Sequence, residues 1–213
     1  MNFNEFLIKI SKIKNTPLLG EASQFKMAPP FRQQLIKQQK KALNQPRKAA
    51  VLALFYPDKA NETHFVLILR KTYQGVHSAQ VSFPGGKFEA TDSSLKETAL
   101  RETKEEVGVA IDRVEVLKTL TPIYIPPSHF NVQPFLGVIQ NTLDFELEAS
   151  EVESIIEIPL LHFLDDRQVV TRKVQTSYNL EVEVPAFLLN DHVVWGATAM
   201  ILSEIKDLMK QLF

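Results

Sequence analysis

The 213 residues include no cysteine, which excludes disulfides, thiolate zinc sites, iron–sulfur clusters and cysteine nucleophiles, and leaves nothing that speaks for an oxidising compartment. Excess charge of either sign is missing as well. Lys and Arg number 24 against 25 Asp and Glu, a net charge of -1, so no global field draws the protein to nucleic acid or to a membrane surface. Long apolar runs are also absent: the longest, Ala49 to Tyr56, falls far short of the ~20 residues that a membrane-spanning helix needs. The opening MNFNEFLIKISKIK interleaves Lys with its apolar residues and does not read as a secretory signal. No internal repeat or low-complexity tract is visible. What remains is an ordinary globular composition, 45% hydrophobic and 23% charged, and the expectation is a cytoplasmic enzyme or binding domain.

Patterning divides the chain at about residue 46. Phe3, Phe6, Leu7, Ile10 and Ile13 recur at helical spacing, and a second helix is expected from Phe31 to Leu43, started by Pro29-Pro30 and stopped by Pro46. Residues 1–46 therefore read as a helical extension to a main domain over 47–213. From Lys48 the period shortens. AAVLALFYP and THFVLILRK flank the polar turn DKANE and predict a hairpin of largely buried strands. AQVSFPGG, RVEVLKTL, PFLGVI, LDFELEA, QVVTRKV and LEVEVPAFLL are further strand candidates, whereas the prolines of TPIYIPPSHF argue against regular structure there. A last helix covers ATAMILSEIKDLMKQLF. Strands and helices mix without strict alternation, which predicts an α/β (α+β) fold with a mixed sheet packed between helices.

The segment richest in chemistry is Leu95 to Val109. Ser94 and Glu97 predict a capping box at its start, and Gly108 a left-handed cap at its end. At about 100° per residue, Glu102, Glu105 and Glu106 share one stripe, while Leu100, Thr103 and Val107 mark another side as the buried face. Arg101 sits beside Glu105 on the rim, and Lys104 points away. Three crowded carboxylates repel one another by a few tenths of a kcal/mol per pair, roughly. A solvated charged face is one reading; a divalent cation held by hard oxygen ligands is the other. Phe83-Pro84-Gly85-Gly86 upstream favours the second, since a glycine turn brings backbone close to whatever the helix holds.

Gly86 through Val109 resembles the Nudix box, GX5EX7REUXEEXGU, and Arg101 to Val109 matches it with Thr103 in place of the aliphatic residue. The stretch from Gly86 to Arg101 is one residue longer than the motif, and Ser93 stands eight before Arg101 where the motif has Glu; Asp92 and Glu89 are the two possible substitutes. The same lengthening is typical of the coenzyme A diphosphatase branch. LILRKTYQGVHSAQVSFPGG also resembles that branch's signature at Arg70 and at Phe83 to Gly86, although Lys71, Gly75 and Ala79 depart from it. The resemblance extends over roughly residues 47–200.

The resemblance implies the following assignments. Glu102, Glu105 and Glu106 ligate Mg2+ or Mn2+, and Arg101 orients a glutamate. The base that takes a proton from water is Glu105 or Glu151. The substrate is coenzyme A, cut at its diphosphate to 3′,5′-ADP and 4′-phosphopantetheine, and Arg70 is the first choice for the adenosine 3′-phosphate, with Gly85, Gly86 and His77 nearby and Arg32, Lys37, Lys40, Lys41, Arg47 and Lys48 as further cations. Trp195, Tyr73, Tyr124 and Phe130 are candidates for contacts to adenine or pantetheine. ADP-ribose or NADH as substrate and a non-catalytic sensing module are the alternatives. No nucleic-acid or membrane partner is expected, and the N-terminal helices are the place to look for a homodimer contact.

Overall fold

The computed structural model describes residues 1–39, 45–71, 80–176 and 181–213, of which 37–39 by backbone alone. The chain begins with α1 (Phe3–Ile10), α2 (Glu21–Gln24) and α3 (Arg32–Gln39), then β1 (Arg47–Pro57), β2 (Thr63–Arg70), β3 (Val81–Ser82) and β4 (Gly85–Lys87). Helix α4 (Leu95–Val107) leads to β5 (Glu115–Thr119), β6 (Ile123–Ile125), β7 (Phe130–Val138), β8 (Val152–Pro159) and a short α5 (Leu160–Leu164). Strands β9 (Val169–Gln175), β10 (Glu181–Leu189) and β11 (His192–Val194) precede the closing α6 (Gly196–Leu212). Among these residues no helix is long and apolar enough to cross a membrane.

β1 is the central strand. It runs parallel to β7, from Arg47 opposite Phe130 to Phe55 opposite Val138, and antiparallel to β2 and β4. The sheet order is β3-β2-β1-β7-β5, with β8 on β2 and β6 on β7, while β9, β10 and β11 form a separate antiparallel sheet. One parallel pair among antiparallel neighbours makes the large sheet mixed, as the patterning predicts.

The unbroken apolar runs of β1 and β2 follow from burial on both faces. Ala49, Ala53 and Phe55 of β1 join Phe65 and Leu67 of β2 in a core shared with α1 and α6. The alternate residues Ala50, Leu52, Leu54 and Tyr56 join Val66 and Ile68 in a second core under Ala99 and Val107 of α4. Helix α1 turns Phe3, Phe6 and Ile10 inward, and Phe6 stacks on Phe55 with centroids 5.3 Å apart. The strap that follows is pinned to α6: Ser203 Oγ donates to the Ser23 carbonyl at 2.7 Å, and the buried Glu204 accepts from Thr121 N at 3.2 Å and Gln24 Nε2 at 3.4 Å.

Two expectations fail. Residues 121–130 are not irregular throughout, because β6 pairs with β7 and only Pro126–Ser128 form a 3-10 turn. LDFELEA is not a strand. The amides of Glu146 and Glu148 donate to the carbonyls of Val107 and Glu106, so this segment closes the C-terminal end of α4 and has no ladder partner. β8 and α5 were not anticipated at all.

Candidate active site

Both ends of α4 form as their sequence dictates. Ser94 Oγ accepts from Glu97 N at 3.2 Å, and Gly108 takes the left-handed C-terminal cap at φ 74°. The Glu97 carboxylate accepts from Ser93 N at 2.6 Å, one residue beyond the N-cap amide that an ideal capping box uses. The buried face differs from expectation: Ala99, Thr103 and Val107 are buried, Leu100 is only half-buried, and Glu106 is 1% exposed. Thr103 fits an aliphatic position because its hydroxyl donates to the Ala99 carbonyl at 2.6 Å, which leaves the buried donor satisfied.

Arg101 is the hub of the carboxylate stripe. Its Nε donates to Asp92 Oδ1 at 2.8 Å and its Nη2 to Asp92 Oδ2 at 3.1 Å, a two-pronged clamp. Nη2 also reaches the Lys87 carbonyl at 3.0 Å, while Nη1 donates to Glu102 Oε1 at 3.1 Å and Glu105 Oε2 at 2.9 Å. Asp92, buried just ahead of α4, accepts further from Thr98 Oγ1 at 2.8 Å and Glu89 N at 2.9 Å. The Arg101 guanidinium foremost holds this carboxyl far below the usual carboxylate range. The choice left open between Asp92 and Glu89 is thereby made, since Glu89 is exposed and contributes its backbone.

Glu106 is sequestered behind the glycine turn. Its Oε1 accepts from Arg70 Nη1 and its Oε2 from Gly85 N, both at 2.8 Å. Burial nevertheless pushes its carboxyl up to about 7, with Glu102 adding in the same direction. Burial also raises Glu102, against the pull of Arg101 and with help from Glu105 and Glu151. Gly86 supplies room for this group: a Cβ there would lie 2.4 Å from the Glu102 carboxyl carbon. Glu151 arrives from the start of β8, where Lys71 N donates to its carbonyl at 2.9 Å, and its Oε2 stands 3.7 Å from Arg70 Nη2. Arg70, expected on the substrate, is thus engaged first with Glu106 and Glu151.

The donor chemistry suits a hard divalent cation. Three carboxylates share one stripe, and the two more buried ones resist ionisation through burial and mutual repulsion, a penalty that added positive charge relieves. Among the described residues no three acidic or imidazole groups are gathered closely enough to hold an ion as they stand. Arg101 holds Glu102 and Glu105, while Arg70 and the Gly85 amide hold Glu106.

The turn that touches these glutamates also walls a cavity of about 290 Å³. Arg70, Gly85, Gly86 and Lys87 line it, together with Phe31, Arg32, Leu35, Ile125, Pro126, Pro127, Phe130 and the residues from Trp195 to Thr198. Trp195 is a half-buried cavity residue, and Thr198 Oγ1 ties α6 to the Val81 carbonyl at 3.0 Å. Phe130 also carries the Arg47 guanidinium 4.1 Å over its ring, whereas the Tyr124 hydroxyl pairs with His129 Nδ1 at 2.8 Å. His77, Tyr73, Lys40 and Lys41 lie outside the described residues, as does the Lys37 side chain. The cavity wall contributed by α3 went unread in the sequence, where Arg32 is one cation in a basic run.

A family profile described as NUDIX domain matches residues 46–171. The chain is similar to the human protein named mitochondrial coenzyme A diphosphatase NUDT8, at 32% identity over 159 residues, 73% of this chain and 66% of that one. It is similar to the uncharacterized Nudix hydrolase NudL of Pectobacterium atrosepticum at 34% over 171 residues, 76% of this chain and 83% of that one. Among solved structures, the Nudix hydrolase RenU of M. smegmatis aligns with a TM-score of 0.54 at 11% identity over 80% of this chain and 90% of its own. A MutT/nudix family protein from Enterococcus faecalis gives 0.52 at 19%, over 84% and 69%. At those identities the structural likeness speaks for the fold alone. On the profile match and the two sequence relatives together, the chain belongs to the Nudix family and is a hydrolase of diphosphate bonds in nucleoside diphosphate derivatives.

Proposed function

We propose that this hydrolase cuts the diphosphate of coenzyme A or a coenzyme A derivative, releasing 3′,5′-ADP and 4′-phosphopantetheine, with Mg2+ or Mn2+ as cofactor. The observation that carries the reading is the continuity between the Gly85-Gly86 turn, which touches Glu102 and Glu106, and a largely apolar cavity. A diphosphate lying at the turn would extend an adenosine or a pantetheine arm along Phe31, Leu35, Pro126, Phe130 and Trp195, which suit an aromatic base or an aliphatic chain. The branch signature at Arg70 and Phe83 to Gly86, and the name of the human relative, support the same substrate.

In this mechanism Glu102, Glu105 and Glu106 would hold the divalent cation, which supplies charge neutralisation on the diphosphate and acidifies water at the site. Arg101, itself fixed by Asp92, sets the orientation of Glu102 and Glu105. Arg70 orients Glu106 and keeps a positive charge beside the turn where the phosphates bind; Gly85 and Gly86 let them approach the backbone, and His77, outside the described residues, is assigned to substrate binding on its place in the sequence alone. The proton from water goes to Glu105 or Glu151, both more than half exposed and open to exchange with solvent.

The test is product analysis with coenzyme A, ADP-ribose and NADH in parallel, each with Mg2+ and with Mn2+, and Glu106→Gln as control. Fastest formation of 3′,5′-ADP from coenzyme A and a dead variant support the proposal; faster cleavage of ADP-ribose or NADH overturns the substrate. Glu151→Gln settles the base. As the base, its loss lowers kcat by about 100-fold or more while Mn2+ affinity stays as in the parent, and an unchanged kcat assigns the role to Glu105.

A further inference from the structure

Resting on the coenzyme A reading, we infer that Arg32 on α3 recognises a phosphomonoester of the substrate remote from the bond that is cut, the 3′-phosphate of the adenosine moiety. Arg32 lines the same cavity as Gly85 and Gly86 but comes from α3, ahead of the family's matched segment. It is 8% exposed. Its Nη2 is anchored on the Tyr124 carbonyl at 2.6 Å, and its buried Nε has no hydrogen-bond partner. Arg32 thus lines a cavity with mainly apolar walls while its guanidinium, one nitrogen of which is buried without a partner, is incompletely satisfied.

The surroundings do not complete it. Residues 30–48 contain no acid, and among the described residues the carboxylate that acts on Arg32 electrostatically is Glu21, itself exposed. Burial lowers the pKa of Arg32, so its positive charge is under strain that a ligand anion would relieve. The other guanidinium of the cavity, Arg70, is engaged with Glu106 and Glu151. Lys87 also lines the cavity, but as a point charge; among the described residues Arg32 is therefore the guanidinium left for a second anionic group, and its planar fork matches a phosphomonoester better than a point charge does. Its bond to Tyr124 fixes the side chain ahead of β7, so the donor is preorganised.

The experiment uses the chain's single tryptophan, Trp195, which lines the same cavity and reports occupancy by fluorescence. Titrations compare 3′,5′-ADP with 5′-AMP, and turnover compares coenzyme A with dephospho-coenzyme A, in the parent protein, in Arg32→Gln and in Arg32→Met. The expected result is binding of 3′,5′-ADP about 10- to 100-fold tighter than 5′-AMP, the range of a charge-assisted hydrogen-bond pair. Both variants erase that preference, raise KM for coenzyme A and leave dephospho-coenzyme A unaffected. If Arg32→Gln fails to fold, Arg32→Met fills similar volume without burying an unpaired donor and takes its place.

Two outcomes overturn the inference while the coenzyme A reading stands: no preference for 3′,5′-ADP in the parent, or equal losses on the two substrates in the variants. The converse is also distinguishable. An Arg32-dependent preference without turnover of coenzyme A keeps the phosphomonoester site and removes the substrate assignment.

Discussion

The Asp92–Arg101 clamp stands where the box motif uses a longer acid in a shorter loop, and its strength can be worked from the structure. Asp92 accepts four hydrogen bonds, two from the Arg101 guanidinium and one each from Thr98 and the Glu89 amide. Breaking a buried ion pair by removing one partner costs about 3–5 kcal/mol. Arg101 is 21% exposed and keeps the Lys87 carbonyl, Glu102 and Glu105, so part of that loss is recovered. Asp92→Asn is therefore expected to lower stability by about 2–3 kcal/mol, which for a chain of this size moves Tm down by about 4–12 °C. Glu89→Ala, at an exposed position whose backbone makes the bond, stays within about 0.5 kcal/mol of the parent.

Urea unfolding from pH 7 to pH 3 adds a second, independent reading. The folded-state pKa of Asp92 is depressed, so its contribution is present above the ordinary carboxylate pKa of about 4 and is lost as pH falls toward the folded value. The gap between the parent and Asp92→Asn is thus full at neutral pH and narrows in acid. Equal stability at pH 7, a gap that does not narrow in acid, or a larger effect at Glu89 would each refute the clamp.

The two glycines of the turn separate stability from activity. Gly85→Ala places a Cβ 2.3 Å from the Ala50 carbonyl oxygen on a backbone at φ 148°, so β1 itself must move; a loss of about 3 kcal/mol or failure to fold is expected in thermal unfolding. Gly86→Ala collides with the mobile end of Glu102, so the fold survives and kcat falls by about 10-fold or more as that carboxylate is displaced. Thr103→Val, which restores an aliphatic residue, should leave turnover unchanged and stability within about 1 kcal/mol, since the lost bond is local to the helix.

The sequence was most readable where one residue type has one mechanical use. Ser94 and Gly108 end α4 as capping chemistry requires, and β1 and β2 show their double burial as unbroken apolar runs. It was least readable where contacts between distant segments decide. The Glu106 stripe position gives no sign that the side chain is buried, because that depends on Gly85 N and Arg70, brought in by β4 and β2. LDFELEA alternates like a strand, yet the carbonyls at the end of α4, which have no partner within the helix, claim its amides. β8 interrupts its apolar positions with Glu153 and Glu157, and it pairs with β2 through a register shift at Leu69 and Arg70. Asp92 and Glu89 were equivalent in sequence; burial and the direction of the Arg101 fork distinguish them.

The boundary at residue 46 follows composition and spacing alone. Phe3, Phe6, Ile10, Ile13 and Met27 are each 3% exposed or less and lie in one core with Phe55, Phe65 and the inner face of α6. Fully burying such side chains is worth about 1.5–3 kcal/mol each, so together they supply about 7–15 kcal/mol. That equals the whole net stability of an ordinary domain, about 5–15 kcal/mol. Removing them would also strip Gln24 from Glu204, leave Phe55 without its stacking partner and take Arg32 out of the cavity wall. A chain beginning at Arg47 is accordingly expected to show no cooperative thermal transition and no turnover. A native near-UV spectrum with a sharp transition from residues 47–213 alone would make the first 46 residues a true appendage, and the cavity would then owe its substrate preference to β1, β7 and α6 without help from α3.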